Sequence, residues 1–221
     1  MQSLTLITFT LLAFILYLGW GAYYHSNPTK GEAIAKYNDK NTALLIVDVQ
    51  EEYTQHPKLY PDDEIQKMIE AINEIQADFA RRDLPIYYIK HEFKGIATRG
   101  LVQIMNKGIG LKNSGIDSRI TRHNSRVFAK THGDAMSSKE LLSELSKRKV
   151  NKLILVGIDG NICIKLTAEG ALSRGFEVEL STAGIVSMIP DQWQKTTKSL
   201  LTKGAVLKPA PGEPLAKAEN R

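Results

Sequence analysis

A thiol, a carboxylate and an amine each stand beside the end of a short apolar run in this 221-residue chain. Cys163, its only cysteine, follows residues 153–156 (LILV) and the turn Gly157-Ile158-Asp159-Gly160, where a helix-compatible segment begins. Asp48 ends 42–48 (TALLIVD), and Lys130 ends 126–130 (RVFAK). Apolar runs of this length and branching predict buried strands. Next to the first turn of a helix, backbone N–H groups and the helix dipole favour negative charge on a thiol and lower its pKa. The N–H groups of that turn, around Asp159, Gly160 and Ile162, can hold an oxyanion. A thiol attacks a carbonyl only as thiolate, so it needs a base or a positive neighbour. Asp48 is placed to take the proton, and Lys130 to steady both carboxylate and thiolate. Each residue alone has a plain structural explanation: a buried cysteine, a loop-capping aspartate, a solvated lysine. Ligands of open α/β sheets bind beyond the carboxyl ends of the strands, so parallel strands would bring all three to one edge. His91, just past 84–90 (LPIYYIK), points to the same edge and is a candidate to face the pocket.

The elements that must position these groups alternate. The spacing of Ile65, Met68, Ile69, Ile72, Ile75 and Phe79 predicts an amphipathic helix over 62–82, with Asp62 and Asp63 at its start and Arg81 and Arg82 at its end. Strand 84–90 follows after a short return. Strand–helix–strand with so short a return implies parallel pairing and right-handed crossovers. Residues 94–125 break the rhythm and read as a long loop, with a short helix near Val102. After strand 126–130, Ser137 and Glu140 form a capping box that starts a helix buried through Leu141, Leu142 and Leu145. The helix after Cys163 closes at Gly175. Strand 176–180, a helix from Pro190 and Asp191 through Trp193, Leu200 and Leu201 to Gly204, and strand 205–207 complete the domain. The GIDG turn lacks the full glycine pattern of a dinucleotide-binding motif.

With 43% hydrophobic side chains, the chain is long enough for one well-buried domain. One cysteine excludes an intrachain disulfide. The net charge of +5 is concentrated: residues 94–126 hold seven Lys/Arg and one acid, Asp117. Without zinc-finger spacing or an RNA-binding aromatic signature, this excludes nucleic acid as the leading partner. It suits a lid over the pocket that draws in an anionic small-molecule substrate, or a contact with acidic lipid. No charged side chain precedes Lys30, and residues 4–24 span about 31 Å as a helix, enough to cross a bilayer core. Residues 1–25 therefore read as an N-terminal membrane anchor, with Trp20, Tyr23 and Tyr24 as interfacial aromatics. Lys30, Lys36 and Lys40 would place the domain in the cytoplasm; a cleaved signal peptide, giving a secreted or periplasmic protein, is the rival reading. Residues 26–41 read as a polar linker, 42–207 as the domain, and 208–221 as a disordered tail.

Three blocks resemble the isochorismatase-like cysteine hydrolases, over roughly 42–207. ALLIVDVQEEY (43–53) resembles the family's first strand, VFAKTHGDAM (127–136) the block with its lysine, and LVGIDGNICIKLTAEGAL (155–172) the nucleophile block. The resemblance implies a three-layer α/β sandwich, Rossmann-like, around a mainly parallel sheet of about six strands. It implies Asp48, Lys130 and Cys163 as catalytic residues, and Gln50 and Tyr53 as pocket-lining ones. The implied reaction is hydrolysis of a small amide through a thioacyl intermediate. A threonine usual three residues before the cysteine is replaced by Gly160, in a turn where relatives often carry a non-proline cis peptide. The metal-binding relatives, the nicotinamidases, carry an Asp-x-His pair; here His56 stands alone, so no metal and no cofactor are expected. A non-catalytic membrane-tethered binding protein is the alternative. Ether-type hydrolysis is disfavoured by Cys163. Self-association as a homo-oligomer is left open.

Overall fold

The computed structural model describes residues 26–208 except 36, 40, 57, 95–113 and 124, with scattered positions between 9 and 23. Six strands form one sheet in the order β3-β2-β1-β4-β5-β6, every pair parallel. They are β1 (Asn41–Val47), β2 (Ile86–His91), β3 (Val127–Lys130), β4 (Val150–Gly157), β5 (Glu177–Ile185) and β6 (Val206–Lys208). The helices are α1 (Glu51–Thr54), α2 (Asp62–Arg81), α3 (Lys139–Lys147), α4 (Lys165–Leu172) and α5 (Pro190–Thr202).

Alternation along the strands divides the core into two layers. Leu44, Ile46, Tyr88, Ile154 and Val156 pack with Ile65, Met68, Ile69, Ile72 and Phe79 of α2. Ala43, Leu45, Val47, Ile89, Leu153 and Leu155 pack with Leu141 and Leu145 of α3, Ala168 and Ala171 of α4, and Leu200 of α5. The α2 stripe matches its periodicity except at one step: Ile75 is partly buried, while Gln76 is fully buried and accepts from the Tyr88 hydroxyl at 2.5 Å. The cap of α3 lies one residue later than expected. Ser138 Oγ accepts from Leu141 N, while the Ser137 hydroxyl turns back to Asp134 O at 2.7 Å.

The chain winds one way from β1 to β2 and β3, and the other way through β4, β5 and β6. The reversal lies between β1 and β4, where connections leave a crevice at the carboxyl ends. Two local features shape it. Asp48, just past β1, has φ 56°, a left-handed conformation uncommon for a residue with a side chain and concentrated at functional sites. Gly157, ending β4, has φ 121°, and a Cβ there would lie 2.0 Å from Val47 O, so only glycine lets the two strand ends lie this close.

The N-terminal expectations need correction. Described positions between 9 and 26 are helical, yet among the described residues no helix is long and apolar enough to cross a membrane. The predicted transmembrane anchor, and the membrane localisation built on it, are therefore not supported; most of residues 1–25 lie outside the described residues. Residues 26–41, expected as a linker, are tied to the domain. Ile34 N donates to Arg174 O (2.8 Å), Thr29 N donates to Asp134 Oδ2 (2.8 Å), and Arg174 Nη1 donates to Thr29 O (2.8 Å). Residues 209–221, expected as a tail, and 95–113, which include the short helix expected near Val102 and most of the expected lid, lie outside the described residues.

Candidate active site

Asp48, Lys130 and Cys163 meet at the crevice. β1 delivers Asp48, β3 ends on Lys130, and a π-helical turn (Gly160–Ile164) after β4 carries Cys163. Lys130 Nζ lies 2.8 Å from Asp48 Oδ2 and 3.4 Å from Cys163 Sγ, with the lysine side chain fully buried and the aspartate's 4% exposed. A buried ammonium persists only when paired and hydrogen-bonded. Here it also donates to His132 O at 3.0 Å. Asp48 Oδ1, by contrast, is buried without a hydrogen-bond partner among the described residues.

The electrostatics follow from burial and pairing. Burial alone would raise the Asp48 carboxyl, but Lys130 and His91 overcome it and hold the pKa below its usual value. Burial would lower Lys130, and the charge of Asp48 reverses this and holds it up. Burial pushes the Cys163 thiol well up; the Asp48 carboxylate adds to this and Lys130 only partly offsets it. Burial therefore works against the low-pKa thiol expected at the helix start.

The turn that carries Cys163 is held by Asp159, whose peptide bond with Ile158 is cis. Its carboxylate accepts from Asn161 N (2.7 Å), Met188 N (2.6 Å) and the Ser187 and Tyr60 hydroxyls. Burial nonetheless raises its pKa. Two N–H groups expected at an oxyanion site are already engaged: Gly160 N donates to Val186 O and Ile162 N to Asp159 O. The Ile162 side chain is 46% exposed at the rim. Gly160 has a steric reason. A Cβ there would lie 2.9 Å from the Trp193 indole, so a side chain at this position would have to displace the α5 tryptophan packed on the turn. Asn161 supplies side-chain bonds beside it, donating to Ser187 Oγ and Ile189 O and accepting from Thr196.

Gln50, expected to touch substrate, is fully buried; its amide oxygen accepts from His91 N (2.6 Å) and its NH2 donates to His91 O and Ser114 O. It clamps β1 to β2. Tyr53 is only partly buried, and its phenol pKa is raised by burial and by the charges of Asp48 and Glu52. Tyr60 behaves similarly, feeling Asp159, Cys163 and Asp48, and was not singled out from sequence because no pattern marks it. His91 Nδ1 lies 3.1 Å from Lys130 Nζ and 3.8 Å from Asp48 Oδ2. Asp48, His91 and Cys163 bring ligand atoms within 4.8 Å of one another, but the Lys130 ammonium already lies against all three. A metal ion does not fit beside that charge.

Of the basic segment, the described arginines are occupied. Arg119 pairs with Asp117 (2.7 Å), Arg126 with Glu144 (2.5 Å), and Arg122 lies over the Tyr88 ring.

The family model "Isochorismatase domain" matches residues 42–209. Nicotinamidase 3 of Arabidopsis thaliana is 23% identical over 171 residues, covering 74% of this chain and 82% of that protein. The crystal structure of N-carbamoylsarcosine amidase from Thermoplasma acidophilum superposes with a TM-score of 0.64 at 20% identity, over 80% of this chain and 99% of the other. A nicotinamidase from Staphylococcus aureus does so with a TM-score of 0.58 at 20% identity, over 77% and 98%. These structures share the parallel-sheet fold. The match over residues 42–209 shows that the chain belongs to the isochorismatase family.

Proposed function

We propose that the protein hydrolyses carbon–nitrogen bonds other than peptide bonds, cleaving a small amide through a thioacyl-enzyme intermediate. The observation that carries this reading is the buried Lys130 Nζ that joins Asp48 Oδ2 at 2.8 Å and Cys163 Sγ at 3.4 Å. Relatives named as nicotinamidase and N-carbamoylsarcosine amidase support the bond class. The thiol gives its proton to Asp48, whose Oδ1 is unengaged. The thiolate attacks the amide carbonyl, and Lys130 balances the charge on sulfur. As the C–N bond breaks, Asp48 returns the proton to the departing nitrogen. Water then gives a proton to Asp48 and attacks the thioester, and sulfur leaves and is reprotonated, completing the cycle.

The test incubates the full chain with a panel of small primary amides, nicotinamide among them, and follows ammonia release and intact mass. Turnover with a Cys163-borne acyl adduct, lost in Cys163→Ala, is expected. Turnover that persists in Cys163→Ala overturns the mechanism; no hydrolysis of any amide overturns the bond class.

A further inference from the structure

The Lys130 ammonium has three N–H bonds and four acceptors within reach. They are Asp48 Oδ2 at 2.8 Å, His132 O at 3.0 Å, His91 Nδ1 at 3.1 Å and Cys163 Sγ at 3.4 Å. The carboxylate and the carbonyl are the nearest, which leaves His91 Nδ1 and Cys163 Sγ competing for the third proton. A thiol is a weak acceptor; a thiolate is a charged one.

The histidine is built into this position. His91 and Lys130 are register partners on β2 and β3, so their side chains leave the same face of the sheet side by side. Gln50 grips the His91 backbone at both N and O, and Phe93 stacks on the ring at 4.4 Å and 23°. The 3.8 Å separation from Asp48 is too long for a hydrogen bond, whereas 3.1 Å to Lys130 is of ordinary length. Lysine only donates, so Nδ1 accepts and the ring proton sits on Nε2.

We propose that His91 is a positioning residue: its Nδ1 holds the third Lys130 N–H while sulfur is a thiol and yields it when the thiolate forms. His91 thereby sets how readily Cys163 loses its proton. The inference rests on the proposed role of Cys163 as nucleophile, but its test does not need turnover. A neutral ring agrees with the direction of the His91 pKa, lowered by burial and by Lys130 against the pull of Asp48. The titratable groups facing the thiol and the ring are Asp48 beyond β1, Lys130 on β3, His132 in the following loop, Tyr53 on α1 and Tyr60 before α2.

The test is the pH profile of iodoacetamide alkylation of Cys163, the only thiol in the chain. His91→Phe removes the competing acceptor, so the third N–H turns to sulfur. Its alkylation midpoint should fall by about one to two pH units, the size of one hydrogen bond to a charged group. His91→Asn keeps an acceptor near the Nδ1 position and should retain the wild-type midpoint. An unchanged or raised midpoint in His91→Phe overturns the proposal. Should that variant not fold, imidazole 15N NMR of the wild-type chain decides: an Nε2-protonated His91 at neutral pH is expected, and an Nδ1-protonated ring overturns it. Failure of the hydrolase reading would appear separately, as absent amide turnover with these thiol and ring measurements intact.

Discussion

Asp48 and Lys130 form one buried ion pair, so their substitutions should be coupled. Removing one partner of a buried pair strands the other charge, at about 3–5 kcal/mol. Lys130→Met should therefore lower unfolding stability by that order in urea titrations, and Asp48→Asn/Lys130→Met by less than the sum of the single changes. The pH dependence has a definite sign. Asp48, held below 3.8, contributes stability above that value that is lost as pH falls through its folded pKa. Lys130, held above 10.5, contributes stability below that value that is lost as pH rises through its folded pKa. The stability gap between wild type and the double variant should thus be widest across the neutral range and narrow at both ends. In turnover, Asp48→Asn and Lys130→Met should each cost about 10²–10⁴-fold in kcat, with little further loss when combined. Simple multiplication of the losses would show that they do not share one site. The three central residues were legible because each follows an apolar run, and a parallel sheet gathers such ends. Tyr60 and Ser187 were not, because tertiary contacts alone bring them to the crevice.

At the scale of elements, the turn that carries Cys163 depends on α5. Gly160 accommodates the Trp193 indole, and Asn161 ties the turn to Ser187, Ile189 and Thr196. Gly160→Thr should cost about 1–3 kcal/mol through overpacking. Trp193→Leu should relieve part of that cost in a double-mutant cycle read by thermal unfolding, although Trp193→Leu alone is destabilising. Equal losses with and without Trp193 would mean that the indole is not what excludes a side chain. The sequence showed the glycine only as a departure from a pattern. Its partner lies 33 residues away on a different element, beyond the reach of local spacing. The capping-box spacing likewise pointed to Ser137, whereas its neighbour Ser138 caps α3. The bond from Ser137 to Asp134 O decides between them.

At the scale of the whole molecule, the N-terminal segment is part of the domain's support. Thr29 donates twice to the buried Asp134, four residues beyond Lys130, and Arg174 clasps Thr29 from the far side. A chain lacking residues 1–33 should be about 1–3 kcal/mol less stable in urea, the size of a few lost buried hydrogen bonds. It should also show faster amide exchange at residues 134–136. Exchange as slow as in the full chain would mean that the segment merely lies against the domain. Composition gave no sign of this docking, because polar residues that bond to a buried carboxylate look like any linker. The central strands were readable, since buried parallel strands are continuous apolar runs, whereas β5 runs past the expected 176–180 to Ile185 through a polar stretch that periodicity did not mark.

The lone, buried thiol also governs how the protein meets peroxide. Burial pushes the Cys163 thiol up, and a protonated sulfur reacts slowly with such oxidants. Once a sulfenic acid forms, there is no second cysteine to trap it as an internal disulfide. Rescue must then come from an external thiol, and without one the sulfur passes on to sulfinic acid. Inactivation by hydrogen peroxide should therefore be reversed by prompt dithiothreitol and not by late addition, with two added oxygens on the Cys163 peptide marking the loss.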